Sequence, residues 1–277
     1  MAGVWRRMVV TAPAALCLPT LVGAQVLDLR ILEDSTRRPV PGAIVRLVVP
    51  GGVVAQGLAN EVGRVVLRPD APGTWRIRVD RIGYGEFLSA PVSVAPGDTL
   101  RQQILVRSPA VVLATLEVRR ESRCEARDGG DAGAAAVWEE IRKALAANVM
   151  TDAARSVPLQ VREFLRDADL EGRPERQWVF SSRLHRGQPF ASLPPHELVR
   201  GGFIHLGPDS ASFRAPDATL LLSDAFIETH CFRAVSGEDG RIGLAFEPVG
   251  RSRVPDVRGT LWVDRATSEL RFLEYAY

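Results

Sequence analysis

The runs P-V-P-G-A-I-V-R-L (Pro39–Leu47), N-E-V-G-R-V-V-L (Asn60–Leu67) and P-G-T-W-R-I-R-V-D-R-I-G-Y (Pro72–Tyr84) decide the fold of this chain. Each is short, alternates apolar with polar side chains, and is bounded by glycine or proline. A period of two residues puts one set of side chains on a buried face and the other in solvent, the pattern of a half-buried β-strand. Ala43, Val45 and Leu47 form one such set, and Trp75, Ile77 and Val79 form another. Asn60 to Gly63 and Pro72-Gly73 are turn signals, where glycine supplies backbone angles closed to other residues.

Working outward, Val26 to Leu32 reads as a preceding strand, and Val53–Leu58, Pro91–Val94 and Leu100–Val106 complete the set. About seven strands at this spacing predict a β-sandwich over residues 25–118. The succession Pro39-x-Pro41-Gly42-Ala43-x-Val45, Asn60-Glu61-x-Gly63-Arg64, Pro72-Gly73-x-Trp75 and Gly83-Tyr84 resembles the carboxypeptidase regulatory-like domain. That resemblance implies a transthyretin-like or immunoglobulin-like sandwich that serves as an accessory module of exported proteins, with no peptidase activity. Two positions depart from the family pattern: Asn60-Glu61 stands where Thr-Asp is usual, and Trp75 stands where tyrosine is usual. Related sandwiches bind carbohydrate through exposed aromatics. Trp75 shares a face with Ile77 and Val79, which places it in the core instead.

Ahead of the sandwich, Arg6-Arg7 precede the apolar run Met8–Leu21, and Val22-Gly23-Ala24 offers small residues for a signal peptidase. The expectation is a secretory signal over residues 1–24, cleaved between Ala24 and Gln25. The apolar run is shorter than the ~20 residues of a spanning helix and holds Pro13 and Pro19. The mature chain is therefore expected to be exported to the periplasm, cell surface or medium and not to span the membrane. Losing Arg6 and Arg7 takes the 35 basic residues to 33, equal to the 33 acidic ones. A near-neutral chain without a basic stripe is not read as a nucleic-acid binder. Lysine occurs once, at Lys143.

With Cys17 in the signal, Cys124 and Cys231 remain. In an oxidising compartment two cysteines are expected to pair. The alternatives are two unpaired thiols, or a Cys231 nucleophile beside His230.

Residues 119–133 are charged, glycine-rich and without apolar period, and read as a linker. A second domain over 134–277 opens with a helix whose stripe is Val137, Ile141 and Leu145. Glu139, Glu140, Arg142 and Lys143 fall mostly on other faces, and Asp131 is a candidate cap. Strands are expected at Val161–Leu165 and Trp178–Leu184, a turn and strand within Leu198–Leu206, and a short helix capped by Ser223 before Cys231. Ile242–Pro248, Val257–Asp264 and Leu270–Tyr277 then form a meander. The whole is mainly β with some α: a sandwich followed by an α+β domain with an antiparallel sheet. The stretch Gly259-Thr260-Leu261-Trp262-Val263-Asp264 with Leu270-Arg271-Phe272 is similar to the strand-turn-strand repeat of lipoprotein-carrier half-barrels. The resemblance implies a curved sheet with one face able to hold a lipid. Tyr277 stands inside an apolar strand, so either that strand pairs centrally or the domain is longer than the sequence read here.

No catalytic, cofactor-binding or metal-binding residues are assigned. His196-Glu197 opens an H-E-x-x-H pattern that Arg200 breaks. His185, His205 and His230 are widely spaced, and no serine-hydrolase elbow or phosphate loop is present. Asp224 and Glu228, four apart, read as a solvated pair. The expectation is a non-catalytic binding or structural protein of the cell envelope, requiring no cofactor, whose partner is an envelope protein, a glycan or a lipid. The alternatives are a hydrolase whose site lies after Leu159, and a carbohydrate-binding or receptor-associated module. A pocket with convergent, pKa-shifted groups favours the enzyme; an apolar groove on the second sheet favours lipid or peptide binding.

Overall fold

The computed structural model describes residues 25–108, 132–153, 158–168, 174–186, 193–208, 211–250 and 252–277. Among the described residues, eight strands precede the first helix: β1 (Val26–Glu33), β2 (Ile44–Val49), β3 (Gly52–Leu58), β4 (Arg64–Leu67), β5 (Thr74–Asp80), β6 (Phe87–Leu88), β7 (Val92–Ser93) and β8 (Thr99–Val106). They form one sheet in the order β4-β1-β8 and another in the order β3-β2-β5-β6, with β7 on β5. Leu27, Leu29 and Ile31 project from β1 against Val45, Leu47, Trp75, Ile77 and Val79. Trp75 is 4% exposed, so it is core and not a stacking platform for a sugar. β6 was absent from the sequence expectation because two residues are too few to show alternation.

The turns follow the sequence signals. Asn60 Oδ1 accepts from the amides of Val62 (3.1 Å) and Arg64 (2.9 Å), closing the β3–β4 connection. Gly63 sits at φ +72°, and a Cβ there would overlap the Ile31 carbonyl oxygen. Only glycine serves at that position.

The second cluster of buried side chains gathers around α1 (Ala132–Ala153) and a four-stranded antiparallel sheet. Its strands are β13 (His230–Ser236), β14 (Arg241–Pro248), β15 (Arg258–Asp264) and β16 (Leu270–Ala276), in that order. The expected three-strand meander thus gains a fourth member, and β16 lies at the sheet edge rather than in its centre. Val137, Ile141 and Leu145 of α1 pack on Ile242, Leu244, Phe246, Leu261 and Val263. Between α1 and the sheet come β9 (Pro158–Ala168) paired with β10 (Pro174–Arg186), α2 (Pro195–Gly201), β11 (Ile204–Leu206) with β12 (Ala211–Phe213), α3 (Ala218–Leu221) and α4 (Asp224–Thr229).

Two helices escaped the sequence expectation. α2 starts on Pro195, whose fixed φ suits a first helical position. α3 is a single turn capped by Asp217, whose side chain accepts from Leu220 N at 2.8 Å. Ser223 caps α4 as expected, accepting from Phe226 N at 3.2 Å. Residues 1–24, the linker through Asp131, and Cys124 lie outside the described residues.

Candidate functional site

Glu140, Arg142 and Lys143 of α1 meet the sandwich, while Glu139 stays exposed. Lys143 is 6% exposed, and its ammonium donates to Tyr84 O and to Glu140 Oε1, both at 2.7 Å. Glu140 Oε2 in turn accepts from the amide of Gly83 at 2.7 Å. One turn away, the Asp80 carboxylate is 1% exposed and faces three guanidinium groups: Arg46 at 2.5 Å, Arg78 at 3.1 Å and Arg142 at 3.8 Å. Arg142 also pairs with Glu139 at 2.9 Å. Burial works against the Arg142 charge, but Glu139 and Asp80 outweigh it and hold the group above its ordinary range. For Arg46 burial prevails, drawing it below that range despite Asp80. Periodicity shows which residues avoid the core stripe, not what those residues touch, so this contact is visible only in the tertiary structure.

Beside this polar contact lies a cleft of about 480 Å³. Ile82, on the turn between β5 and β6, forms the sandwich side. Ala144 and Leu145 of α1, Pro216, Ala218 and Leu221 at α3, Leu261 of β15, and Leu270 and Leu273 of β16 form the rest of the apolar wall. The polar groups are Asn148 and Glu269, and Glu269 is paired with Arg271 at 3.3 Å. The size is that of small-molecule pockets in general, and so is a mostly apolar lining with few polar groups. Among the described residues, none of the groups whose pKa is clearly shifted lines this cleft: Asp28, Arg46, Arg64, Tyr84, Arg142, Asp264 and Tyr277 lie elsewhere.

A second depression, about 370 Å³, lies over Ala245 and Thr260, on the side of the sheet away from α1. Arg233, Glu247, Arg258 and Glu274 ring it, so charges of both signs alternate around a floor of small residues.

The residues singled out by sequence disperse. His230 is buried, with Nδ1 3.1 Å from Phe226 O and Nε2 3.1 Å from Val257 O and 3.3 Å from Asp256 Oδ1. Its ring stacks on Phe226 at 3.8 Å. It pins the end of α4 to the loop before β15. Cys231 follows it on β13, and neighbouring strand residues point to opposite faces, so the two do not form a dyad. Cys231 is half-buried. Gln25 is 1% exposed and donates to Pro69 O at 2.9 Å; Ala24 lies outside the described residues. His196 and His205 are exposed on α2 and β11, and His185 is half-buried on β10. Asp224 and Glu228 are exposed on α4. Among the described residues no three His, Cys, Asp or Glu side chains are placed to hold a metal, and no helix is long and apolar enough to cross a membrane.

No family model matches the chain, and no curated protein matches it. Solved structures show partial likeness. The Bacillus anthracis TIE protein is 15% identical over 31% of this chain and 17% of its own, with a TM-score of 0.27. The group B streptococcus pilus 2b backbone protein is 15% identical over 30% of this chain and 40% of its own, at 0.25. The 5-hydroxyisourate hydrolase of Klebsiella pneumoniae is 20% identical over 31% of this chain and 91% of its own, at 0.24. The chain spans less than half the length of the first two. Likenesses at this level carry no argument about function.

Proposed function

We propose that this protein is a non-catalytic binding protein of the cell envelope whose cleft takes one alkyl chain bearing a neutral or cationic head group. The observation that carries the reading is the wall itself: aliphatic side chains from three directions, with Asn148 and Glu269 as the polar groups. Each methylene buried there is worth about 0.8 kcal/mol. Among the described residues the lining holds no basic side chain for a carboxylate head, and Glu269 is already paired with Arg271, while Asn148 offers both a donor and an acceptor. A long-chain amine or a monoacylglycerol fits these terms.

The remaining assignments belong to the same proposal. Residues 1–24 are read as an export signal cleaved between Ala24 and Gln25, 25–118 as a carboxypeptidase regulatory-like module, 119–133 as the linker and 134–277 as the α+β domain. Cys124 is read as the partner of Cys231. Export to an oxidising compartment is consistent with that pairing.

The test uses the exported form, loaded with a naphthylamine dye that fluoresces in apolar sites. Dodecylamine and monolaurin should displace the dye with micromolar midpoints, and laurate should do so at least tenfold less well. Failure of the native protein to take up dye or amine, or equal displacement by laurate, overturns the reading.

A further inference from the structure

Ile82 is the sandwich's contribution to the cleft wall, and its placement is controlled from α1. The turn that carries it is held on one side of Ile82 by the bond from Gly83 N to Glu140 and on the other by its own Tyr84 N to Arg81 O bond of 3.0 Å. Lys143 then fixes the Tyr84 carbonyl. Gly83 lies at φ +76°, so the turn's path is set by a left-handed residue as well as by its bonds. The ammonium is 6% exposed and makes bonds of 2.7 Å, so water competes poorly for its donors. A compact point cation fits here, whereas the planar guanidinium used everywhere else in this chain is larger and presents its donors in a fixed fork.

We infer that Ile82 sets the length of the alkyl chain the cleft accepts, and that Glu140 and Lys143 are positioning residues which hold Ile82 against that chain. The inference rests on the proposed alkyl-binding function and adds a role for the sandwich: it closes a site whose other walls come from α1, α3, β15 and β16. A chain that grows past the room available gains nothing from further methylenes, because they either meet Ile82 or turn into water. Replacing Ile82 by alanine removes three carbons of that wall and leaves the rest of the lining in place. Phenylalanine has the opposite effect, filling the space earlier.

The experiment is a competition series of primary alkylamines from eight to sixteen carbons against the same dye, on the native protein and on Ile82→Ala, Ile82→Phe and Glu140→Ala. Affinity of the native protein should rise about fourfold per methylene and then level off. In Ile82→Ala the levelling should move two to three methylenes longer, and in Ile82→Phe one to two shorter. Glu140→Ala should lose the sharp plateau, a change that a uniform loss of affinity across the series does not produce. A native protein that binds no amine overturns the function and this inference together. A native protein that binds amines, with the same plateau in both Ile82 variants, overturns this inference alone. The two Ile82 variants move in opposite directions, so misfolding of one leaves the other to decide.

Discussion

Replacing Lys143 with methionine removes the ammonium at the junction of α1 and the sandwich while keeping a side chain of similar length. In the native protein that ammonium bonds Tyr84 O and Glu140 Oε1, each at 2.7 Å, with side-chain exposures of 6% for Lys143 and 15% for Glu140. Breaking a buried pair from one side typically costs about 3–5 kcal/mol, because the remaining charge is left uncompensated. Here Glu140 keeps its bond from Gly83 N and some solvent, so the lower end, about 3 kcal/mol, is expected. For a chain of this size that corresponds to a fall in Tm of roughly 6–12 °C. Urea unfolding followed by far-UV circular dichroism gives the free energy directly. Adding Glu140→Gln to Lys143→Met should recover about 1–2 kcal/mol, since the orphaned carboxylate is then gone. A loss below about 0.5 kcal/mol, the range of a solvated surface pair, would refute the docking of α1 on the sandwich and with it the role of Ile82.

Other expectations are more local. Gly63→Ala should destabilise by more than about 1 kcal/mol, because a left-handed backbone and an overlap with the Ile31 carbonyl coincide there; chemical unfolding reads it. Asp264, held at about 2 by bonds from the Thr267 amide and the Arg271 side chain, binds a proton less readily folded than unfolded. Its stabilisation of the β15–β16 turn is therefore complete above about pH 4 and is lost as pH falls through about 2. Carboxyl NMR should show that midpoint, and Asp264→Asn should remove this part of the acid dependence; a midpoint near 4 contradicts it. Denatured, unreduced protein should show no free thiol, and reduction should cost about 4–5 kcal/mol in the chain-entropy estimate for a loop of roughly a hundred residues. Two thiols per chain would sink the Cys124–Cys231 pairing.

The strands were legible because their chemistry is local. Alternation at Ala43–Leu47 and Trp75–Val79, with turn residues at Asn60–Gly63, specifies register and buried face without knowledge of the partner strand. The stripe Val137, Ile141 and Leu145 was legible for the same reason. The cleft was not. Its walls come from Ile82, from α1 and from Leu270 and Leu273, and no spacing rule links residues so far apart. Lys143 did stand out by being the single lysine, yet a lone residue type in an arginine-rich chain carries no address until its surroundings are known. His230 beside Cys231 looked like chemistry in one dimension; in the strand the two face opposite ways, and both nitrogens of His230 are taken up by structure.

The most direct test of the proposed cleft is photo-labelling of the purified protein with a twelve-carbon amine carrying a terminal diazirine, followed by peptide mapping. Adducts are predicted on the α1 segment around Leu145, on Ile82 and on the β16 segment around Leu273, and excess dodecylamine should suppress them. Labelling confined to the exposed apolar side chains of β10, Trp178 and Leu184, or to the charged depression around Arg233 and Glu247, would contradict the account.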